Sequence, residues 1–220
     1  MVEIKFCGMT RPDDARRAAE LGARYVGVIL ADGPRALTDE AANKVLTAAA
    51  WERGAKPERV GVFGHASTED IAGRAKRLGL DVVQLHGDPD ARAVDDLRKL
   101  WKGKVWAVQR VLGTQIAASA AAIFEVADAV VLDARVPGKL GGTGVTLSWV
   151  ELRTQMEPLR ARRARLVLAG GLRPENVAAA VDALHPDVVD VSSGVEATIG
   201  VKDHDRMRAF RDALQAVHTR

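Results

Sequence analysis

The feature that most constrains this chain is an alternation repeated eight times: a short apolar run, then a stretch with helical periodicity. The apolar runs fall at 2–6, 25–30, 59–63, 82–86, 105–111, 130–133, 165–169 and 188–191, and most of them read as apolar runs rather than as strict alternation. Continuous apolar strands are what a parallel sheet covered on both faces requires. Helices are expected over 12–22 with Thr10 as N-cap, from Thr38, from Ser67-Thr68, over 89–101, over 115–126, near 149–156, from Pro174 to before Pro186, and over 203–217. A Ser, Thr or Asp ahead of such a stretch accepts a first-turn N–H, and Pro fits the first helical position. Eight βα units match a closed (β/α)8 barrel, an α/β fold in one domain over 1–220, better than an open doubly wound sheet. The chain is short for a barrel, so the turns at its N-terminal face must be tight. Aromatic residues are only 4% of the sequence, which leaves Val, Leu, Ile and Ala to fill the core.

Several function classes recede on composition. One cysteine, Cys7, allows no intrachain disulfide and no Cys-rich metal site. His65, His185 and His218 lack metal-ligand spacing. No run approaches the roughly 18 apolar residues of a membrane span. The N-terminal Met-Val-Glu-Ile-Lys carries charge at once and has no signal-peptide core. The expectation is a cytoplasmic protein without a membrane partner. The net charge is +3, with basic residues spread along the chain. The densest run, Arg160, Arg162, Arg163 and Arg165, has no interleaved aromatics and reads as a solvated helix end rather than a nucleic-acid surface.

In a barrel of this kind, chemistry sits at the C-terminal ends of the strands. The first strand ends in Cys7-Gly8, the fourth in Gln84-Leu85-His86-Gly87 and the sixth in Leu132-Asp133. The seventh stops at Ala169-Gly170-Gly171 and the eighth at Ser192-Ser193-Gly194. Small residues at two neighbouring strand ends leave backbone N–H groups uncovered, which suits a phosphate, although each Gly alone could simply turn the chain. A lone strand-end Cys is usually a small core residue, and a lone Asp a turn residue. Facing each other across a barrel mouth, they become a candidate base and acid. A modest lowering of the thiol pKa would give thiolate near neutrality, and desolvation would keep the carboxyl protonated. His86 reads as a site wall rather than a catalyst, and His204 as a solvent-facing or capping residue.

Taken in order, these segments carry a resemblance. Lys5-Phe6-Cys7-Gly8-Met9-Thr10 resembles the Lys-Ile-Cys-Gly-Ile/Leu-Thr signature of phosphoribosylanthranilate isomerases of tryptophan biosynthesis. Gly61-Val62-Phe63, Val83 to Gly87, Leu132-Asp133, Gly141-Gly142-Thr143-Gly144, Ala169 to Leu172 with Pro174 to Val177, and Val189 to Glu196 follow in the same order. The similarity implies an Amadori rearrangement of N-(5-phosphoribosyl)anthranilate to 1-(o-carboxyphenylamino)-1-deoxyribulose 5-phosphate, with no cofactor or metal. It implies Cys7 as general base and Asp133 as general acid. Arg35 would hold the anthranilate carboxylate, and Gln84, His86 and Asp190 would line the substrate, Asp190 supporting the neighbouring loop. Gly142, Gly170, Gly171, Ser192, Ser193 and Gly194 would hold the phosphate. Family members are monomers or homodimers, and the sequence leaves both open.

The chain departs from the family pattern at Phe6, at Gly33-Pro34-Arg35, at Gly64-His65 and at Leu147-Ser148-Trp149, where an Asp is usual. None of these is the expected acid or base. Two other readings stand beside the isomerase: another phosphate-handling barrel enzyme, which would share the glycine loops but not the Cys7–Asp133 pair, and an inactive barrel that senses sugar phosphates.

Overall fold

The computed structural model describes residues 1–49, 56–112, 115–116, 120–135, 149–160 and 162–217. Eight strands, β1 (Glu3–Phe6), β2 (Tyr25–Ile29), β3 (Glu58–Phe63), β4 (Val82–Leu85), β5 (Lys104–Leu112), β6 (Ala129–Arg135), β7 (Arg165–Ala169) and β8 (Val188–Val191), pair in sequence order. All the pairings are parallel, and β8 returns to β1 to close the barrel. The helices are α1 (Pro12–Glu20), α2 (Asp39–Ala48), α3 (Thr68–Leu78), α4 (Ala91–Leu100), α5 (Ala120–Val126), α6 (Trp149–Arg160), α7 (Val177–Leu184) and α8 (His204–Val217).

Side chains alternate across each strand, so every strand feeds two cores. One set, including Phe6, Val26, Val83, Leu132, Leu168 and Val189, packs outward against the helices. The other, including Tyr25, Val82, Trp106, Val131 and Val188, fills the barrel. With so few aromatics available, Tyr25 and Trp106 meet edge to face inside it, ring centroids 4.7 Å apart.

The tight turns expected at the N-terminal face are built by aspartates. Asp81, Asp128 and Asp187 each directly precede or lie one residue before an even-numbered strand. Their carboxylates accept from the backbone N–H of Arg59, Val105 and Leu166 at 2.8, 2.8 and 2.7 Å. Each thereby stitches the start of one strand to its neighbour.

Thr38 and Ser67 cap α2 and α3 as expected, accepting from Ala41 and Asp70 N–H at 3.2 Å each. The start of α1 differs. Arg11 occupies the cap position without a side-chain bond and Pro12 begins the helix. Thr10 instead donates its hydroxyl to the Gly200 carbonyl. The fifth helix begins at Ala120, and Gln115 and Ile116 are not helical. The seventh begins at Val177 because Asn176 folds the preceding turn, accepting from Arg173 N–H at 2.9 Å and donating to Gly171 O at 3.0 Å. The eighth follows Asp203, whose carboxylate accepts from the N–H of Asp205 and Arg206 at 3.0 Å each. One element was not anticipated. After β8 the chain makes a 3-10 turn (Ser193–Val195) and a small antiparallel hairpin, β9 (Glu196–Thr198) with β10 (Val201–Lys202).

Candidate active site

Among the described residues, those expected to form the site gather at the C-terminal end of the barrel. Asp133 lies two residues beyond Val131, an inward residue, and its neighbours in register are Arg110 on β5 and Ala169 on β7. Lys5 and Asp190 are opposite one another across the β1–β8 seam, and Cys7 lies two residues beyond Lys5. The Cys7 N–H donates to the Val191 carbonyl at 2.9 Å, which fixes the strand end. Cys7 and Asp133 thus project toward the same mouth from strands three places apart around the ring.

The β1–β8 seam carries a cluster of buried charge. Lys5, fully buried, donates its ammonium to Asp190 Oδ2 at 2.7 Å. Lys202 from β10 donates to Glu196 Oε1 and to the Ser192 carbonyl, both at 3.0 Å. Glu196 in turn accepts both arms of the Arg35 guanidinium, from Nε at 2.7 Å and from Nη2 at 2.6 Å. A fork of this kind fixes the guanidinium plane as well as its position. Gly8, with φ of 65°, lets Arg35 and Ser192 close over it: a Cβ there would lie 2.8 Å from Arg35 Cδ and from Ser192 Oγ.

These charges set the ionisation of the site. Burial pushes the Cys7 thiol above its ordinary pKa, while the positive charges of Lys5 and Lys202 pull the other way. The lowered thiol expected from the sequence is therefore not found, because desolvation outweighs the two ammonium groups. Burial lowers Lys5, but the Asp190 carboxylate and the Cys7 sulfur together outweigh it, and the net direction is upward. Burial dominates at Lys202, which is lowered despite Glu196. Burial raises Glu196, but Arg35 and Lys202 outweigh it and hold the carboxyl below its usual range.

The two small-residue strand ends touch. A Cβ at Gly194 would lie 1.8 Å from the Leu172 carbonyl oxygen, so the turn after β8 packs directly on the loop after β7. Gly170 and Gly171 hold φ of 86° and 68°. Among the described residues, the amides of Gly171, Ser193 and Gly194 are not used in the backbone bonds that tie the turns of this face together. Gly142, and Leu147 and Ser148 of the departure noted above, lie outside the described residues.

Other expectations are refined. Asp190 points into the barrel and pairs with Lys5 rather than bracing the loop. Gln84 is buried, and its Oε1, like Asp190 Oδ1, has no hydrogen-bond partner among the described residues. His86 stands at the rim with Nε2 3.8 Å from Asp133 Oδ2. His204 is not merely solvent-facing: its Nε2 meets Asp14 Oδ1 at 2.9 Å, and Asp14 is fully buried. The sequence reading gave no role to Lys5, Glu196 or Lys202. Lys5 had a usable signal, since residues 5 and 7 of one strand share a face. Glu196 and Lys202 had none, because the hairpin that brings them in is too short to show a pattern. Among the described residues no group of three or more His, Cys, Asp or Glu is arranged to hold a metal ion.

A closed parallel barrel with ionisable side chains and glycine-lined strand ends at one mouth defines a (β/α)8-barrel enzyme scaffold. The family model described as N-(5'phosphoribosyl)anthranilate (PRA) isomerase matches residues 4–213, and the chain belongs to that family. It is 39% identical over 213 residues to the N-(5'-phosphoribosyl)anthranilate isomerase of Acidithiobacillus ferrooxidans, covering 96% of each chain. Among solved structures, the phosphoribosyl anthranilate isomerase of Thermotoga maritima matches with a TM-score of 0.86 at 34% identity, covering 98% of this chain and all of that one. A phosphoribosyl anthranilate isomerase in complex with reduced 1-(o-carboxyphenylamino)-1-deoxyribulose 5-phosphate matches at 32% identity and a TM-score of 0.81, again over 98% of this chain.

Proposed function

We propose that the protein isomerises N-(5-phosphoribosyl)anthranilate to 1-(o-carboxyphenylamino)-1-deoxyribulose 5-phosphate in tryptophan biosynthesis, with Asp133 as general acid and Cys7 as general base. The observation that carries this reading is the convergence of one thiol and one carboxyl on the mouth of the barrel, with glycine-rich strand ends between them, in a chain of this family.

In this reading Asp133 gives its proton to the furanose ring oxygen. The C1–O bond breaks, and the anthranilate nitrogen lone pair forms the Schiff base at C1. The Cys7 thiolate removes the proton from C2, whose electron pair moves to neutralise the iminium and leave an enolamine. Tautomerisation then gives the ketone at C2. The substrate's own nitrogen is the electron sink, so no cofactor is called on. The Gly171 and Ser193–Gly194 amides bind the phosphate and orient the ribose, which spends binding energy on alignment of the reacting carbon. Arg35, aimed by Glu196 through Nε and Nη2, keeps its Nη1 edge for the anthranilate carboxylate. Gln84 Oε1 and Asp190 Oδ1, acceptors inside the barrel, face the sugar hydroxyls.

The test is turnover of purified Cys7→Ser and Asp133→Asn proteins on phosphoribosyl anthranilate. Each substitution is expected to lower kcat by orders of magnitude with KM little changed, the pattern of an interaction made in the transition state. Full turnover in Cys7→Ser would remove the thiol from the mechanism. Failure of the well-expressed wild-type protein to complement a tryptophan auxotroph lacking this step would overturn the assignment of activity.

A further inference from the structure

We propose that Lys5 is the positioning residue for Cys7: its buried ammonium, anchored on Asp190 across the β1–β8 seam, holds the sulfur in place and stabilises it as a thiolate. The inference rests on the reading of Cys7 as base, and goes beyond it by naming what makes a buried thiol usable as one.

Lys5 is fully buried, and its ammonium is 2.7 Å from Asp190 Oδ2. A lysine inside a barrel is costly unless paired, and one carboxylate contact leaves other N–H donors of the ammonium to satisfy. The second group in its field is the Cys7 sulfur, on which its positive charge acts. Both side chains lie on Gly27 of β2. A Cβ at that position would sit 3.0 Å from Cys7 Sγ and 3.2 Å from Lys5 Cε. Gly27 therefore clears the floor on which the sulfur and the end of the lysine stem lie side by side.

The other charged groups around the sulfur do not duplicate Lys5. Arg35, from the loop after β2, is committed to Glu196 on β9, and Lys202 on β10 to Glu196 and Ser192. Asp190 on β8 repels a thiolate and is neutralised by the Lys5 contact. Asp133 on β6 and His86 after β4, with Nε2 and Oδ2 3.8 Å apart, come from strands that do not neighbour β1. Of the positive groups acting on Cys7, Lys5 has the largest effect and Lys202 a smaller one. When Cys7 takes a proton from substrate C2, Lys5 keeps its own proton throughout. It acts through the sulfur and touches no reacting atom.

The experiment uses the single cysteine of the chain, which makes thiolate absorbance or the signal of 13C-labelled cysteine a direct report on residue 7. Lys5→Met would leave Asp190 buried and unpaired, so it is paired with Lys5→Met/Asp190→Asn, which removes both charges together. In the double variant the thiol titration is expected to move upward, leaving at least about tenfold less thiolate at a given pH below the transition. The alkaline rise of kcat should shift by the same amount. A merely structural lysine would predict a thiol titration that moves downward once the repelling carboxylate is also neutralised, and a titration that moves downward or not at all would overturn the proposal. If neither variant folds, the wild-type protein decides: the 15Nζ signal of Lys5 should respond as Cys7 titrates, and should lose that response in Cys7→Ser. A Lys5 signal indifferent to Cys7 overturns it too. These readouts stand apart from the base assignment, which falls only if Cys7→Ser turns over normally.

Discussion

Substituting Gly194 by Ala tests whether the turn after β8 and the loop after β7 form one anion-binding unit. The added methyl carbon would lie 1.8 Å from the Leu172 carbonyl oxygen, 2.9 Å from its carbonyl carbon and 3.1 Å from Arg173 Cβ. Two of these three neighbours are backbone atoms, which cannot swing aside as a side chain can. Relieving the contact requires the two loops to separate by more than about 1 Å, because a Cβ is essentially never found within 3.0 Å of another heavy atom. Overpacking of this kind costs about 1–3 kcal/mol. At about 2–4 °C per kcal/mol for a chain of this size, Tm should fall by roughly 2–12 °C. A shift of about 1 Å in a binding constellation costs on the order of 100-fold in rate. The assay is steady-state kinetics on phosphoribosyl anthranilate, with inorganic phosphate as competitive inhibitor to read the anion site alone. The expected result is a fall of about 100-fold in kcat/KM together with weaker phosphate inhibition. Gly22→Ala is the control. Gly22 holds φ of 78° with nothing within 4 Å of the added carbon, so the variant carries backbone strain of about 1–2 kcal/mol without disturbing the mouth. It should lower Tm and leave kcat/KM intact. If Gly194→Ala lost stability but kept kcat/KM and phosphate inhibition within twofold of wild type, the phosphate would not be held at this seam.

Two further outcomes are expected. Arg35→Ala should raise KM and lower kcat/KM by about 10- to 100-fold, the worth of a charged hydrogen bond of about 1.5–3 kcal/mol. Arg35→Lys should not restore it, since an ammonium cannot hold the Glu196 fork and present a second edge at once; steady-state kinetics on both variants would decide, and unchanged constants in Arg35→Ala would refute the assignment. At the other end of the barrel, Asp128→Ala orphans the buried Val105 N–H, which donates to the Asp128 carboxylate at 2.8 Å. The cost should be about 1–3 kcal/mol in a denaturant melt, with kcat and KM unchanged. A loss of activity without a loss of stability would show that this face is not purely structural.

The strands were legible because each is buried on both faces. An apolar run with no polar interruption then has one economical arrangement, and the eighth run had to find the first. The caps at Thr38 and Ser67 were legible because a cap is local: acceptor and N–H lie three residues apart. Thr10 was misread because its partner, Gly200, lies 190 residues away on the hairpin turn. The same distance hid the charge cluster, with Arg35 and Glu196 separated by 161 positions and Lys5 and Asp190 by 185. Parity alone could have indicated the second pair. Residues 5 and 190 both fall on the inward face of their strands, and a charge in a barrel interior demands a partner of opposite sign. The aspartates before β4, β6 and β8 were visible as Asp-Val-Val, Asp-Ala-Val and Asp-Val-Val, but their role appears only once each strand start has a neighbour.

The seam that closes the barrel is also the seam that builds the site. Lys5 faces Asp190 only in the observed β1–β8 register. A one-residue slip of β8 would turn Asp190 outward toward the helices and bring Val189 or Val191 inward. Lys5 would then be buried without a counter-charge, and Cys7 would lose the Val191 carbonyl that holds its strand end. Two opposite charges placed in the pairing that closes the ring therefore penalise a one-residue slip while supplying charge beside the sulfur. In this barrel the register of closure and the charge beside Cys7 are set by the same pair of side chains.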